Sequence, residues 1–439
     1  MQNRLRSRGA ALLGGACVAA ALVLGSACEM PDPEGLARDR PTMPSPPGSP
    51  PGVPPGPPPG PFSALPSNTE ALGGETTLVA PTAADRPKPG AASWNPATTR
   101  AVIVGVLTFA DPKITTFSAR NRKDQELADT LIARGVPRGN VTVLLDGAAT
   151  TSAVLAALEK QARAASPGST LLFYYAGHGT KAESGDVSFL AFDASKDAQL
   201  AVATVGRIIR GAFRGSDVLL LADCCHSGAL IDLARGLGQG AFRATAITSA
   251  ESSNTSTGNW TYTQATIDAF RGEPLADRDR DGRVELAEWA TEVRDAMKFR
   301  ERQRAGIALG GIPASFELGA ASGSAPAPAK DAPAIGSYVA APRNGKPDVA
   351  RVVARSAGSA TLAFYDYSDF SRAESATSAL TPVRFERHAP GAKLKVTWGG
   401  KVWDADVVRT EDDFHLITYP GWSSWWDEWI ASDRIVGTR

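Results

Sequence analysis

The stretch "DVLLLADCCHSGAL", residues 217–230, decides the fold. An apolar run from Val218 to Ala222 ends abruptly in an acid, two cysteines, a histidine, a serine and a glycine. A short apolar run bounded by turn residues reads as a buried strand, and the polar cluster marks its carboxyl end. Working outward, similar runs read as strands at 101–109 ("AVIVGVLTF"), 141–146 ("VTVLLD"), 170–179 ("TLLFYYAGHG"), 187–192 ("VSFLAF") and 242–250 ("FRATAITSA"). Between them, 120–135, 151–165 and 204–213 carry helical spacing. Continuous apolar strands alternating with helices predict an α/β unit, a mostly parallel sheet flanked by helices. In such sheets chemistry gathers at the strands' carboxyl ends, where both "GHG" (177–179) and "DCCHSG" (223–228) lie.

The 439 residues are enough for two to four domains of about 100–200 residues each. Formal net charge is zero, so there is no basic footprint and no nucleic-acid partner is expected. The 4 cysteines, Cys17, Cys28, Cys224 and Cys225, leave no spaced set for a disulfide framework and no CxxC pair for zinc. Residues 1–28 read as an export signal: Arg4, Arg6 and Arg8 precede a small-residue apolar stretch that ends in "LGSAC". Cys28 suggests a lipidated bacterial lipoprotein cysteine, although Gly25 stands where leucine is usual; simple secretion and an uncleaved anchor are the alternatives. Each places the mature chain outside the cytoplasm: in the cell envelope with the lipid anchor as the membrane contact, or otherwise secreted. Residues 29–97 read as a linker, and 31–66 hold nearly half of the 32 prolines, an extended tether rather than a core.

Cysteine attack on a carbonyl needs a thiolate, a proton acceptor near it and an oxyanion site. His226 follows Cys225 directly and, on an extended strand, would point to the opposite face. His178 sits on another strand end, with glycines on either side that let backbone N–H groups approach a carbonyl. "YYAGHG" and "DCCHSG", in that order with His178 and Cys225 47 residues apart, resemble the histidine and cysteine motifs of the caspase/metacaspase superfamily of cysteine peptidases. The resemblance runs over about 98–315, within a domain expected at 98–320. It implies Cys225 as nucleophile, His178 as general base and the backbone N–H groups of Gly179 and Cys225 as oxyanion donors. Cys224 is then a small spacer, and Ala176 replaces a serine common in the family. It also implies an acidic pocket of Asp124, Asp193 and Asp223 for a substrate Arg or Lys. The expected substrate is a peptide or protein, with no organic cofactor. The alternative is a non-catalytic caspase-like scaffold that binds an envelope partner. On exposure, the loop 229–243 with Arg235 and Arg243 is a candidate for self-cleavage.

"DRDRDGRVELAE" (277–288) fits a calcium-binding EF-hand loop. Asp277, Asp279 and Asp281 take the first, third and fifth positions, Gly282 the sharp turn, Arg283 the backbone carbonyl, Glu285 the ninth position and Glu288 the bidentate twelfth. Both flanks are helical in pattern, so Ca²⁺ is the expected ligand. A linker at 321–334 precedes a β-rich region that holds six of the nine tryptophans. Segments 335–385 and 388–439 share a design, each opening on Gly and an alternating strand, followed by "ARVV" or "ADVV". They resemble tandem Tudor-like, SH3-like barrels, the second similar to the Tudor-knot or chromo-barrel pattern. Trp398, Tyr419, Trp422 and Trp425 then form either an aromatic cage or the packing of a small barrel, and the ligand is left open.

Overall fold

The computed structural model describes residues 92–119, 121–195, 199–251, 259–309, 311–322, 333–343, 345–364, 372–383, 386–398, 401–411 and 414–439. The export signal with Cys28, the proline-rich tether and most of the second linker lie outside the described residues.

The α/β unit runs β1 (Arg100–Gly105), α1 (Lys123–Ala133), β2 (Val141–Leu145), α2 (Thr151–Arg163), β3 (Thr170–Ala176), β4 (Gly179–Lys181), β5 (Val187–Phe189), β6 (Leu200–Ala201), α3 (Val202–Ala212), β7 (Asp217–Asp223), α4 (Ala229–Gly238), β8 (Arg243–Thr248), α5 (Thr261–Arg271), β9 (Arg283–Glu285), α6 (Leu286–Ala296), β10 (Gly306–Ala308) and β11 (Glu317–Ala320). Six strands form one sheet in the order β10-β8-β7-β3-β1-β2, parallel throughout except for β10. Strand alternation divides its apolar residues between two layers. Ile103, Leu172, Tyr174, Leu219 and Leu221 pack toward α1, α5 and α6, while Val102, Val104, Phe173, Tyr175 and Leu220 pack toward α2, α3 and α4. A mostly parallel sheet covered on both faces is the predicted architecture. β4, β5 and β6 form a small antiparallel flap directly after the histidine motif.

Two expectations need correction. β7 stops at Asp223, and Cys224 to Gly228 form a turn in which His226 is left-handed, φ 56°. Strand alternation therefore does not govern where His226 points relative to Cys225. The segment 229–243 is not a loop: its first ten residues are α4, which buries Leu230, Ala234 and Leu237, and Arg243 opens β8 in a buried ion pair with Asp217 at 2.5 Å. Arg243 is thus no exposed cleavage site.

After the α/β unit come two five-stranded antiparallel sheets. One comprises Tyr338–Arg343, Lys346–Ser356, Ser359–Phe364, Ala373–Ala376 and Thr381–Pro382; the other Lys393–Trp398, Lys401–Glu411, Phe414–Thr418, Glu428–Ala431 and Ile435–Thr438. Numbered within each sheet, the spatial order is 4-3-2-1-5 both times. In each, the register between the second and third strands shifts at the same place, Val352/Ala354 and Val407/Arg409, within the "ARVV" and "ADVV" segments.

Candidate active site

β3 and β7 are neighbouring parallel strands, and Ala176 pairs with Asp223 at their carboxyl ends. His178 and Cys225 each lie two residues past those paired ends. Neighbouring strands run about 4.8 Å apart, so the two motifs leave the sheet side by side. The Gly177 N–H reaches the Asp223 carbonyl at 3.4 Å. Gly179 touches the other motif: a Cβ on it would lie 1.9 Å from the Cys225 carbonyl oxygen and 3.3 Å from Cys224 Sγ. Only glycine permits that approach. Leu190 N–H donates to the His178 carbonyl at 2.9 Å, which makes Gly179 and Phe189 a non-hydrogen-bonded pair. Strand pairing therefore does not consume the Gly179 N–H.

The His178 ring is partly buried and held on several sides. Phe117 lies 4.4 Å and Phe109 5.3 Å from it, centroid to centroid, and Nε2 sits 2.7 Å from the Thr115 carbonyl oxygen. A carbonyl only accepts, so Nε2 carries the proton and Nδ1 is left as the basic nitrogen. Burial pushes the imidazole below its ordinary pKa, with the Thr115 carbonyl pulling the other way. The ring is neutral near pH 7. Tyr175 donates its hydroxyl to the His178 carbonyl at 2.9 Å and sits buried beneath the motif.

The two thiols differ, and neither is in a disulfide. Cys224 is buried and Cys225 partly exposed. Burial first, then Cys225 and Asp223, push the Cys224 thiol well above its ordinary pKa, which makes it a poor nucleophile. Ser227 pins the turn, donating to the Ala250 carbonyl at 3.2 Å and accepting the Ala250 N–H at 3.1 Å.

Of the three acids expected in one pocket, two lie on the α1/α5 face. Asp124 and Asp223 both act electrostatically on the buried Tyr174 phenol. Asp223 accepts the Thr263 hydroxyl at 2.7 Å, and burial pushes its pKa up to about 7. Asp124 is fully buried and already paired with Arg122 at 2.7 Å; Arg122 also bonds the Gly105 carbonyl at 3.0 Å and pairs with Asp146. Asp193 is the correction. It is exposed on the α2 face and accepts the Thr151 N–H at 2.7 Å and hydroxyl at 3.0 Å, so it caps the first turn of α2 instead of joining the pair. Sequence reasoning missed Arg122, Asp146, Thr115, Phe117 and Thr263. "NRKD" (121–124) and the acid ending "VTVLLD" (141–146) were the available signals for the first two.

The loop 277–288 joins α5 to α6 with Gly282 at φ 89°, a left-handed conformation that favours glycine. Asp277, Asp279 and Asp281 each bring a carboxylate oxygen within 4.8 Å of the others. Asp277 Oδ1 is buried and accepts no hydrogen bond. Glu288 folds back across the loop, accepting the Arg278 N–H at 2.7 Å and the Asp279 N–H at 3.1 Å through Oε1 and the Glu285 N–H at 2.9 Å through Oε2. The donors are all carboxylate oxygens, and one lacks a partner, which suits a hard cation. The Arg283 and Glu285 strand pairs with β11.

In the second C-terminal sheet Trp398, Trp403, Tyr419, Trp422 and Trp426 pack on one another, with ring centroids 5.1 to 6.1 Å apart. Of the two readings, cage or barrel packing, the mutual ring contacts among the described residues fit barrel packing. The side chain of Trp425 lies outside the described residues.

Residues 138–234, which include both His178 and Cys225, match the family model of the metacaspase, peptidase C14 domain. No curated protein matches the chain significantly. Among solved structures, the chain is similar to protein GSU0716 from Geobacter sulfurreducens at 17% identity and TM-score 0.35, covering 52% of this chain and 94% of that one. It is similar to pro-sf-caspase-1 at 14% identity and TM-score 0.34, covering 54% of this chain and all of that one. Residues 138–234 of the α/β unit are thus similar to the peptidase C14 domain of metacaspases, a domain type of cysteine peptidases.

Proposed function

We propose that the protein is a caspase-like cysteine endopeptidase in which Cys225 and His178 form the catalytic dyad. One observation carries this reading: the two residues lie two steps past register-paired ends of adjacent parallel strands, with Gly179 in backbone contact with Cys225. His178 Nδ1 takes the proton of the Cys225 thiol, the resulting thiolate attacks the scissile carbonyl carbon, and the carbonyl π pair moves onto oxygen as an oxyanion. The Gly179 and Cys225 N–H groups receive that charge. As the tetrahedral intermediate collapses, the C–N bond breaks and His178 Nδ1 delivers a proton to the leaving amine. Water, deprotonated by the same nitrogen, then cleaves the thioester and returns the thiol. The Thr115 carbonyl holds the tautomer that makes Nδ1 available.

The substrate side chain is Arg or Lys, recognised by Asp223 and Asp124, with Arg122 already sharing Asp124. Asp277, Asp279, Asp281, Glu285, Glu288 and the Arg283 carbonyl hold Ca²⁺; the partnerless Asp277 Oδ1 supports that reading. The protein is exported and anchored by lipid on Cys28, and its C-terminal units are Tudor-like. The test uses residues 67–439 and peptides ending in Arg, Lys or Asp, with calcium and with EDTA, beside Cys225→Ala and His178→Ala. Cleavage after Arg or Lys that both variants abolish is the expected result. Full activity in Cys225→Ala overturns the dyad. If no peptide is cleaved and Cys225 alkylates no faster than an ordinary thiol, the scaffold reading replaces the enzyme.

A further inference from the structure

Asp223 is held by the first turn of α5. Its Oδ2 accepts the Thr263 hydroxyl at 2.7 Å, and Tyr174 shares that hydroxyl at 2.6 Å. Yet the α5 cap residue, Trp260, supplies no side-chain bond to the helix start. A second carboxylate secures it instead. Glu301 takes the Thr261 hydroxyl on one oxygen and the Asn259 amide on the other, at 3.1 Å. Thr261, Thr263 and Glu301 are all buried. Two carboxylates therefore sit at one helix N-terminus, where the helix dipole favours negative charge, and Glu301 is close enough to act electrostatically on Asp223.

Glu301 in turn ends a π-helical turn, Met297–Glu301. This turn is where the second C-terminal sheet docks. Phe299 is buried among Phe414, Leu416, Trp429 and Ala431. Lys298, also buried, pairs with Glu411 and lies 4.4 Å from the Trp429 ring centroid. The Trp429 N–H donates to the Arg302 carbonyl at 3.3 Å. A single π turn has little stability of its own and takes its shape from what packs on it. A chain of contacts thus runs from the sheet through Lys298 and Phe299 to Glu301, then to Thr261, Thr263 and Asp223.

We propose that Glu301 is a positioning residue for the Asp223 carboxylate, and that the docked second C-terminal sheet sets Glu301 in place. This rests on the reading of Asp223 as a substrate-facing acid. It makes the C-terminal region part of the specificity pocket rather than a tethered recruiting module.

The test uses the full chain with Glu301→Gln, which strips a carboxylate oxygen from the Asn259 amide, and Phe414→Ala, which removes a docking anchor. Amide hydrogen exchange is followed at 261–265 and 414–431, along with the Arg-over-neutral preference in peptide cleavage and the rate of Cys225 alkylation. Both variants should speed exchange at 261–265 and lower the preference roughly tenfold or more, as small misplacements do, with alkylation unchanged. If 414–431 loosens while 261–265 and the preference hold, the proposal fails. So it does if Glu301→Gln moves neither. Should Phe414→Ala not fold, Glu411→Gln weakens the ion pairs of Glu411 with Lys298, Arg409 and Arg294 and reads the same amides. If wild type cleaves no peptide, the exchange arms still decide the coupling, so its failure and that of the peptidase reading are told apart.

Discussion

Gly179→Ala tests the site at its tightest point. The added Cβ would sit 1.9 Å from the Cys225 carbonyl oxygen, and side chains essentially never approach closer than 3.0 Å. The atom met is backbone, so no rotamer change relieves the clash. The ends of β3 and β7 must part by more than 1 Å, and that displacement falls between the histidine and cysteine motifs. Overpacking of this kind costs about 1–3 kcal/mol, against a domain stability of about 5–15 kcal/mol, so the variant should fold. A misplacement near 1 Å at a reacting pair costs about 10²-fold in rate. The expected result is native circular dichroism with kcat/KM on an Arg peptide down by about two orders of magnitude and slower Cys225 alkylation. Gly211→Ala is the control: it is exposed in α3 with nothing within 4 Å of the new Cβ, so activity should hold and stability rise by up to about 1 kcal/mol. A folded Gly179→Ala enzyme with wild-type kcat/KM would refute the contact as a determinant of the site.

Asp223 makes stability depend on pH. Burial raises its folded-state pKa from 3.8 to about 7, so between those values the folded chain holds a proton that the unfolded chain has released. Stability should therefore fall as pH rises across that window, by up to ~4 kcal/mol. Asp223→Asn should flatten the fall in urea titrations at pH 5 and 8 and cost Arg preference; an unaltered pH slope would rule the assignment out. Saturating calcium should stabilise the wild-type chain by about 2.7 kcal/mol at a hundredfold excess over Kd, and Glu288→Gln should abolish the shift in a thermal melt with and without EDTA. An equal shift in both proteins would put the cation elsewhere. Arg243→Ala leaves Asp217 buried without its ion pair and should cost about 3–5 kcal/mol in urea unfolding; a loss under 1 kcal/mol would show that water reaches the site.

The α/β core was legible because buried parallel strands announce themselves as uninterrupted apolar runs. The strand starts were legible too, but their carboxyl ends were not. The apolar pattern "AVIVGVLTF" continues to Phe109, yet β1 stops at Gly105, because the chain leaves there to wrap its Phe109 and Phe117 around His178. α4 was hidden for a different reason. Three glycines in "ALIDLARGLGQGAFR" read as loop, although Leu230, Ala234 and Leu237 follow the i, i+4, i+7 spacing of a helix face. Packing on the sheet overrode the weak propensity of glycine.

The neighbouring placement of His178 and Cys225 was legible and that of the acids less so, and the difference is one of distance along the chain. His178 and Cys225 are placed by their own strands, and β-register alone carries them to neighbouring ends. An acid can serve any helix N-terminus within reach, and sequence does not say which. Asp193, 15 residues past His178 and in neither motif, is claimed by α2; only the fold reveals that the Thr151 N–H is its partner. Asp223 is claimed by α5 through Thr263, and Asp124 by Arg122. The same physics that lets a carboxylate bind a guanidinium also lets it cap a helix or pair with a resident arginine. On the proposed basic specificity, a substrate arginine would compete with Arg122 for Asp124, whereas at Asp223 it would meet a carboxyl held by hydroxyl and amide donors and, among the described residues, by no resident cation. Asp223 would on that ground be the stronger determinant of the proposed basic specificity, and the placement of α5 would matter more to it than the charge of Asp124.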